Sequence, residues 1–442
     1  MKDFTRMLAP GVLAASLAVT CTPAFSNIYA ASSSIRVGSD APTISDALDM
    51  ADSGDTIIIP AGTYAEQISV ETDGITILAE DGAVLDGSRL KPSSGDSSMV
   101  YIQASGVTVD NLEIKGLKLK KPSSSITPIG IEVDAGSRDI SITNCKIHDM
   151  GCLYTKDSTE YNAHGILVAA DVDEPIENIS IKKCELYKLN LGNSEALALN
   201  GNVSNFAISE NYIHDCDNIG IDAIGFENDS SNDLDRARNG KIFKNVVDSI
   251  SSDPAVNVTY DSKCAGGIYV DGGKNIQIYD NYVTNCDIGI EIASEHKDTV
   301  TTGIKVNNNT LVNNNGWAGI SFGGYDVDDT GCAKNCTFTN NTVYNTDGTA
   351  FVIQYACDSS NIITSNLFIA QNAAELYTEC FGDNSAGNTV TGNTSNSRIT
   401  SDSENNVVKI TGVSIDDEDR TIAIGADDEL FDCGSSRTVV NN

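Results

Sequence analysis

Tryptophan occurs once, at position 317, and aromatic residues together make up only 6% of the 442 positions. That scarcity excludes a core of packed rings. Isoleucine, valine, leucine and alanine must fill the interior, a composition suited to stacked β-strands. Basic residues are also few, 28 Lys and Arg against 62 Asp and Glu, giving a formal charge of −34. Such an imbalance argues against nucleic acid and against anionic membrane surfaces as partners. It is compatible with cation binding and fits poorly with a polyanionic ligand unless a metal ion bridges the two. Beyond the N-terminus no apolar run is long enough to cross a bilayer as a helix. Cys332 and Cys336 lack a second pair at zinc-site spacing, so a structural zinc is not indicated.

What is present begins with an export signature. Lys2 and Arg6 precede an apolar stretch over residues 7–19, and Ala24-Phe25-Ser26 offers a small-x-small cleavage site. Residues 1–26 therefore read as a secretory signal peptide. Thr20 is bulkier than the usual residue before a lipidated cysteine, which argues against lipidation at Cys21. The expectation is a secreted, extracellular, monomeric protein in one domain spanning 27–442. Eleven cysteines follow Cys21, and several fall in repeat slots otherwise held by Asn, so most are expected as buried core thiols.

Internal repetition decides the fold. A short strand, an Asn and a second short strand recur at Asn211, Asn245, Asn281, Asn309, Asn341, Asn366 and Asn393. Cys145 and Cys184 occupy the same slot in ITNCKIHD and IKKCELYK. Each unit alternates with period two and carries Gly, Asn and Asp turns, with no convincing helix. One unit cannot bury its own apolar face. Coiling the chain so that every turn stacks on the one before, at about 4.8 Å per coil, resolves this. Asn on Asn would form a ladder of side-chain amides. The expected fold is all-β, a right-handed parallel β-helix, with a short amphipathic capping helix over 43–51 whose Thr43 and Asp46 have capping-box spacing. Residues 402–442 still alternate and are expected as final coils or a C-terminal cap.

A second series of strands aligns on a leading small residue, among them Gly220-Ile-Asp-Ala-Ile224, Gly267-Ile-Tyr-Val-Asp271 and Gly289-Ile-Glu-Ile-Ala293. Positions one and three places on are apolar and point inward, so positions two and four places on point outward. That face carries Asp222, Tyr269, Asp271, Glu291 and Gln354, and just beyond it lie Glu227, Glu295, His296, Lys297, Tyr325 and Asp326. Gly272-Gly273 and Gly323-Gly324 are expected to keep a groove open there. His164 lies near the groove as a possible sugar contact, Trp317 and Tyr325 could form a stacking platform, and His148 and His214 recur in Ile-His-Asp as structural features of the repeat.

The segment ALDMADSGDTIIIPAGTYAEQISV, followed by Asn-marked coils, resembles the pectate-lyase-like right-handed β-helix superfamily of secreted polysaccharide lyases, hydrolases and epimerases. The resemblance covers nearly the whole chain after the signal sequence and implies a polysaccharide or oligosaccharide substrate. Two chemistries follow. In Ca²⁺-assisted β-elimination, the first expectation, Asp222, Asp271 and Glu291 would hold the ion. Lys297 would be the base with His296 or Arg238 as substitutes, while Tyr269 or Tyr325 assists the leaving oxygen. In hydrolysis, Asp271 would be the nucleophile and Glu291 the acid/base, with Glu295 beside them; Asp222 paired with Glu291 would instead suit inversion. Glu227, Asp326, Gln354 and His164 would contact the substrate. A non-catalytic glycan-binding protein is the third reading. The Arg-x-Pro-x-x-Arg and Asp-Pro-His-Glu segments of the main pectate lyases and of mannuronan epimerases are both missing.

Overall fold

In the computed structural model the described residues are 32–442 except 95–96, 122, 124, 154–160, 327, 355–359, 373–375, 380–387, 398, 400–404, 427–436 and 440–442. The expected signal peptide lies outside them. Three parallel sheets form the walls of a right-handed β-helix, and each coil contributes one short strand to each wall in turn. The first wall runs from Ser34–Arg36 to Thr389–Thr391, the second from Ile68–Val70 to Tyr377–Glu379, and the third from Gly62–Tyr64 to Asn406–Val407. The Ser33–Asn442 portion is one compact unit. Among the described residues no helix is long and apolar enough to cross a membrane.

Period-two alternation produces these strands directly. In Thr56–Ile59, Ile57 and Ile59 are buried while Thr56 and Ile58 are only partly so. Successive coils repeat the inward aliphatic positions, so Ile242, Ile278, Val306, Phe338 and Ile363 stack along the first wall in register. Cys145, Cys184, Cys216, Cys286 and Cys336 are buried in the same interior. The capping helix is Ile44–Met50, with the Thr43 hydroxyl accepting the Asp46 N–H and with Ile44, Ala47 and Leu48 turned inward.

The asparagines sit at the sharp turn between the first and third walls. The residue before each is held in the left-handed region, Lys244 at φ 55°, Asp280 at 56° and Asn308 at 57°. Asn281 donates both its backbone N–H and its side-chain amide to the Asn309 side-chain oxygen, at 3.1 and 2.9 Å, and donates again to the Ile242 carbonyl at 3.0 Å. The pattern repeats without a break from Asn211 to Asn393. Removing one rung leaves several buried donors and acceptors unmade, each costing about 1–3 kcal/mol but not additively. Asn309→Ala is therefore expected to lose roughly 3–5 kcal/mol, measured as the unfolding midpoint in denaturant, whereas an exposed substitution such as Ser230→Ala should stay within about 0.5 kcal/mol.

At the C-terminal end Asn406–Val407 adds the last rung of the third wall. The chain then forms the antiparallel hairpin Ile410–Asp416 and Thr421–Ala426. Ile422 and Ile424 pack with Val246, Tyr282, Val312, Tyr344, Leu367 and Ile369, so the hairpin covers outward apolar residues of the third wall. On the same wall His148, Tyr187 and His214 stack ring on ring at 4.6 and 5.0 Å. Each histidine also holds the aspartate that follows it, Asp149 at 2.7 Å and Asp215 at 2.8 Å.

Candidate active site

The second wall carries the chemistry. Its register aligns Ala198, Asp222, Tyr269, Glu291, Ser321 and Val352 across successive coils. Ile221, Ala223, Ile268, Val270, Ile290 and Ile292 are fully buried beneath them. Asp271 stands two residues further along its strand, opposite Ala293. Asp222 and Asp271 are each only 3% exposed. One Asp271 oxygen accepts the Glu295 N–H at 2.7 Å, and the Tyr269 hydroxyl donates to Glu295 at 3.0 Å. The Gln354 amide donates to Glu291 at 2.9 Å and to Ser321 at 2.7 Å, tying three coils together. His296 lies 3.1 Å from Glu227 at the rim.

These acids crowd one another. Burial, then the Glu295 charge, pushes the Glu291 carboxyl up to about 8. Glu195 is likewise pushed up to about 8, by burial and then by Glu295 and Glu227. Asp222 and Asp271 are raised well above the ordinary range, burial being the largest cause for both. Glu295 is raised too: its residue reaches solvent, but protein packs around the carboxyl itself, and the Tyr269 hydrogen bond opposes the rise. A carboxyl that stays protonated near neutrality can donate a proton to a leaving oxygen.

Beside the acids opens a cleft of about 560 Å³ lined by Tyr260, Tyr269, Glu291, Glu295, Trp317, Tyr325 and Gln354, with no Lys or Arg among its lining residues. Trp317 and Tyr325, 37% and 63% exposed, line it from the two ends of the Ala318–Phe322 strand. A larger trough of about 810 Å³ lies toward the N-terminal end of the same wall, lined by Ser98, Tyr101, Glu132, Asp134, Asn162 and His164 among others. There Ser98 donates to Glu132, and Tyr101 and Gln103 donate to Asp134. The smaller cleft is set apart by Glu291, pushed up to about 8, and by the exposed Trp317 and Tyr325 in its lining.

A family described as right handed beta helix region matches residues 129–332. The uncharacterized protein YwoF of Bacillus subtilis (strain 168) is 34% identical over 369 residues, spanning 79% of this chain and 75% of YwoF. The chain belongs to the right-handed β-helix family. Among solved structures, the polygalacturonase of Erwinia carotovora ssp. carotovora superposes with a TM-score of 0.52 at 14% identity, over 79% of this chain and 93% of that one. The GH136 lacto-N-biosidase of Eubacterium ramulus gives 0.51 at 15% identity, over 85% and 68%. At such identities the likeness is one of fold.

In this β-helix protein the acid group contains Asp222, Asp271, Glu291, Glu295, Tyr269 and Gln354, with Glu227 and His296 at its edge. Other expected residues fall elsewhere. Lys297 is exposed and does not line the cleft. Arg238 pairs through its backbone with Ser204 and Lys274 beside the first wall, and its guanidinium donates to the Leu234 and Arg236 carbonyls. Asp326 accepts the N–H groups of Asp328 and Asp329 and caps a turn. Tyr325 lines the cleft as expected, whereas His164 lines the larger trough. Its Nδ1 lies 3.2 Å from the Glu195 carbonyl, and burial lowers its pKa to about 4, so it is neutral.

The glycine expectation holds for Gly323, which lines the cleft, and is corrected at the other three positions. A Cβ on Gly272 would stand 2.8 Å from Phe226, one on Gly273 2.5 Å from Val270, and one on Gly324 within the Thr330 side chain. Close packing of the chain on itself, rather than clearance for a ligand, requires glycine at these three positions. Arg236, 2% exposed, seals the same corner: it donates to the Gly272 carbonyl at 2.9 Å and lies 4.5 Å above the Phe226 ring.

The Ca²⁺ trio does not assemble as expected. Asp222 and Glu291 flank Tyr269 two rungs apart, roughly 10 Å between backbones. The side chains whose potential ligand atoms converge, all within 4.8 Å of one another, are Glu227, Asp271 and His296. An imidazole nitrogen suits Ca²⁺ poorly. Glu195, Ser321 and Tyr260 went unrecognised in the sequence. Glu195 did leave a trace: it stands where the aligned strands carry Ile219, Gly266, Ile288, Ala318 and Thr349, an acid at a position elsewhere uncharged.

Proposed function

We propose that this protein is a glycoside hydrolase that cleaves a neutral glycan in the acidic cleft, with Glu291 as the proton donor. One observation carries the reading: Glu291 is held protonated to about pH 8 inside a cleft that no ammonium or guanidinium lines. Asp271, beside the cleft rather than among its lining residues, is the partner; burial and the Glu295 charge raise it too, so it acts as a carboxylate only once its own proton has left. It lies one coil before Glu291 and two residues further along its strand, roughly 8 Å between backbones, so side chains reaching toward each other could span a sugar bond.

Elimination needs a base near the substrate; Lys297 and Arg238 do not line the cleft, and His296 at the edge of the acid group is paired with Glu227 at 3.1 Å. A uronate would meet several acids and a net charge of −34, whereas a neutral sugar can lay its apolar face on Trp317 and Tyr325. The test is a panel of neutral and uronate-containing polysaccharides, read at once for new reducing ends and for ultraviolet absorbance of an unsaturated uronate. Reducing ends from a neutral glycan without absorbance are expected. Absorbance on a uronate polymer would overturn hydrolysis in favour of elimination, and glycan affinity without any cleavage would leave a binding protein.

A further inference from the structure

We infer that the rim of the acid group is a binding site for a divalent transition-metal ion of the zinc or manganese class, held by Glu227, Asp271 and His296, with the buried Asp222 carboxyl as a neighbouring charge. The proposal shares Asp271 with the glycan reading, but it concerns ion binding and its test reads binding alone.

Three residues from different coils converge there. Glu227 follows the Ile221–Ile224 strand, Asp271 ends the Gly266–Asp271 strand, and His296 follows Ile288–Ala293. One ligand atom from each lies within 4.8 Å of the others. Two ligands on a tetrahedral ion at about 2.1 Å are roughly 3.4 Å apart, so closing on an ion asks for a contraction of little more than 1 Å. Glu227 is exposed and His296 half-buried, so both can swing inward, while Asp271 is fixed in the wall.

A second observation is independent of that convergence. Asp222 projects from the same outward face, one coil before Tyr269 and Asp271, and is 3% exposed. One of its carboxyl oxygens has no hydrogen-bond partner. A buried carboxyl oxygen without a partner is costly, and Asp222 interacts electrostatically with Asp271, so a cation held at Asp271 would offset that cost. No Lys or Arg forms an ion pair with Asp222, Asp271, Glu291 or Glu295 among the described residues, so no resident cation competes for the place. The donor set chooses the ion. One imidazole with carboxylates suits zinc or manganese, whereas Ca²⁺ asks for six to eight oxygens.

The test is calorimetric titration of the tag-free full chain with Zn²⁺, Mn²⁺ and Ca²⁺, each alone. One saturable site for Zn²⁺ or Mn²⁺ is expected, at least tenfold tighter than any for Ca²⁺. His296→Ala, Glu227→Gln and Asp222→Asn should each weaken it at least tenfold, with circular dichroism confirming that the fold is retained. His296 and Glu227 sit at the rim, so their variants should fold even if Asp222→Asn does not. Absence of saturable binding by Zn²⁺ and Mn²⁺ overturns the proposal. So does binding that survives His296→Ala, which would place the ion at His148, His164 or His214, and so does Ca²⁺ binding of equal strength. The titration reads binding and not turnover, so its failure and the failure of glycan cleavage are separately visible.

Discussion

Glu291→Gln should lower kcat by about 10²- to 10⁴-fold, with KM nearly unchanged. Glutamine keeps the shape and can still meet the Gln354 amide and the neighbouring Tyr269, so the wall should be undisturbed. What disappears is the proton. In the wild type burial and the adjacent Glu295 charge hold that proton on the carboxyl to about pH 8, which is what a leaving oxygen requires at neutral pH. The measurement is steady-state kinetics on whichever glycan the panel identifies. A variant that keeps more than about a tenth of wild-type kcat would remove Glu291 from the acid role. The same proton predicts the alkaline side of the wild-type profile, where kcat/KM should fall as pH rises through about 8.

The second large effect is on stability, and its sign opposes the first. An ordinary glutamate titrates near 4.5, and Glu291 in the folded chain near 8. The folded state therefore holds this proton more tightly than the unfolded state. The resulting contribution is complete below about pH 4.5 and is lost as pH rises through about 8. A shift from 4.5 to about 8 corresponds to an upper limit of roughly 5 kcal/mol. Glu195, also pushed up to about 8, acts in the same direction. The melting temperature of the wild type should thus fall by several degrees between pH 5.5 and pH 9. Glu291→Gln cannot ionise, so it should flatten that slope and be the more stable protein at pH 9. Parallel slopes for the two proteins would show that burial does not hold Glu291 protonated. Loss of turnover with a gain in alkaline stability marks a side chain kept in an unfavourable setting for its chemistry.

The fold was legible because two local rules repeat on every coil. Alternation assigns inward and outward residues, and the asparagine marks the turn. Both are properties of a few neighbouring residues, so they survive in the sequence without knowledge of the whole. The same alternation placed Asp222, Tyr269 and Glu291 in register, as the strand pairing bears out. Residues beyond the strand ends were harder to place. Glu295 and His296 reach the acid group while Lys297, their neighbour, is exposed and does not line the cleft, and no period distinguishes them. Arg238 belongs to the turn that enters the first wall, a boundary set by the Gly225 and Arg236 bridge rather than by any local pattern. The spacing of the Ca²⁺ trio was hidden for a geometric reason: residues on one outward face can still be two coils apart. Gly272 and Gly324 resemble groove residues in sequence, and only the positions of Phe226 and Thr330 show what requires them.

The asparagine ladder also governs how such a protein can change length. Each rung asks the same thing of the coil above and of the coil below: an amide at one turn position. A duplicated or deleted coil that carries its asparagine rejoins the stack without altering either neighbour, whereas a frame slipped by one residue leaves two rungs facing empty positions. The whole coil is therefore the natural unit of insertion. The acid cleft, drawn from strands on consecutive coils, could in this way be moved nearer to or farther from either end of the molecule with its own geometry unchanged.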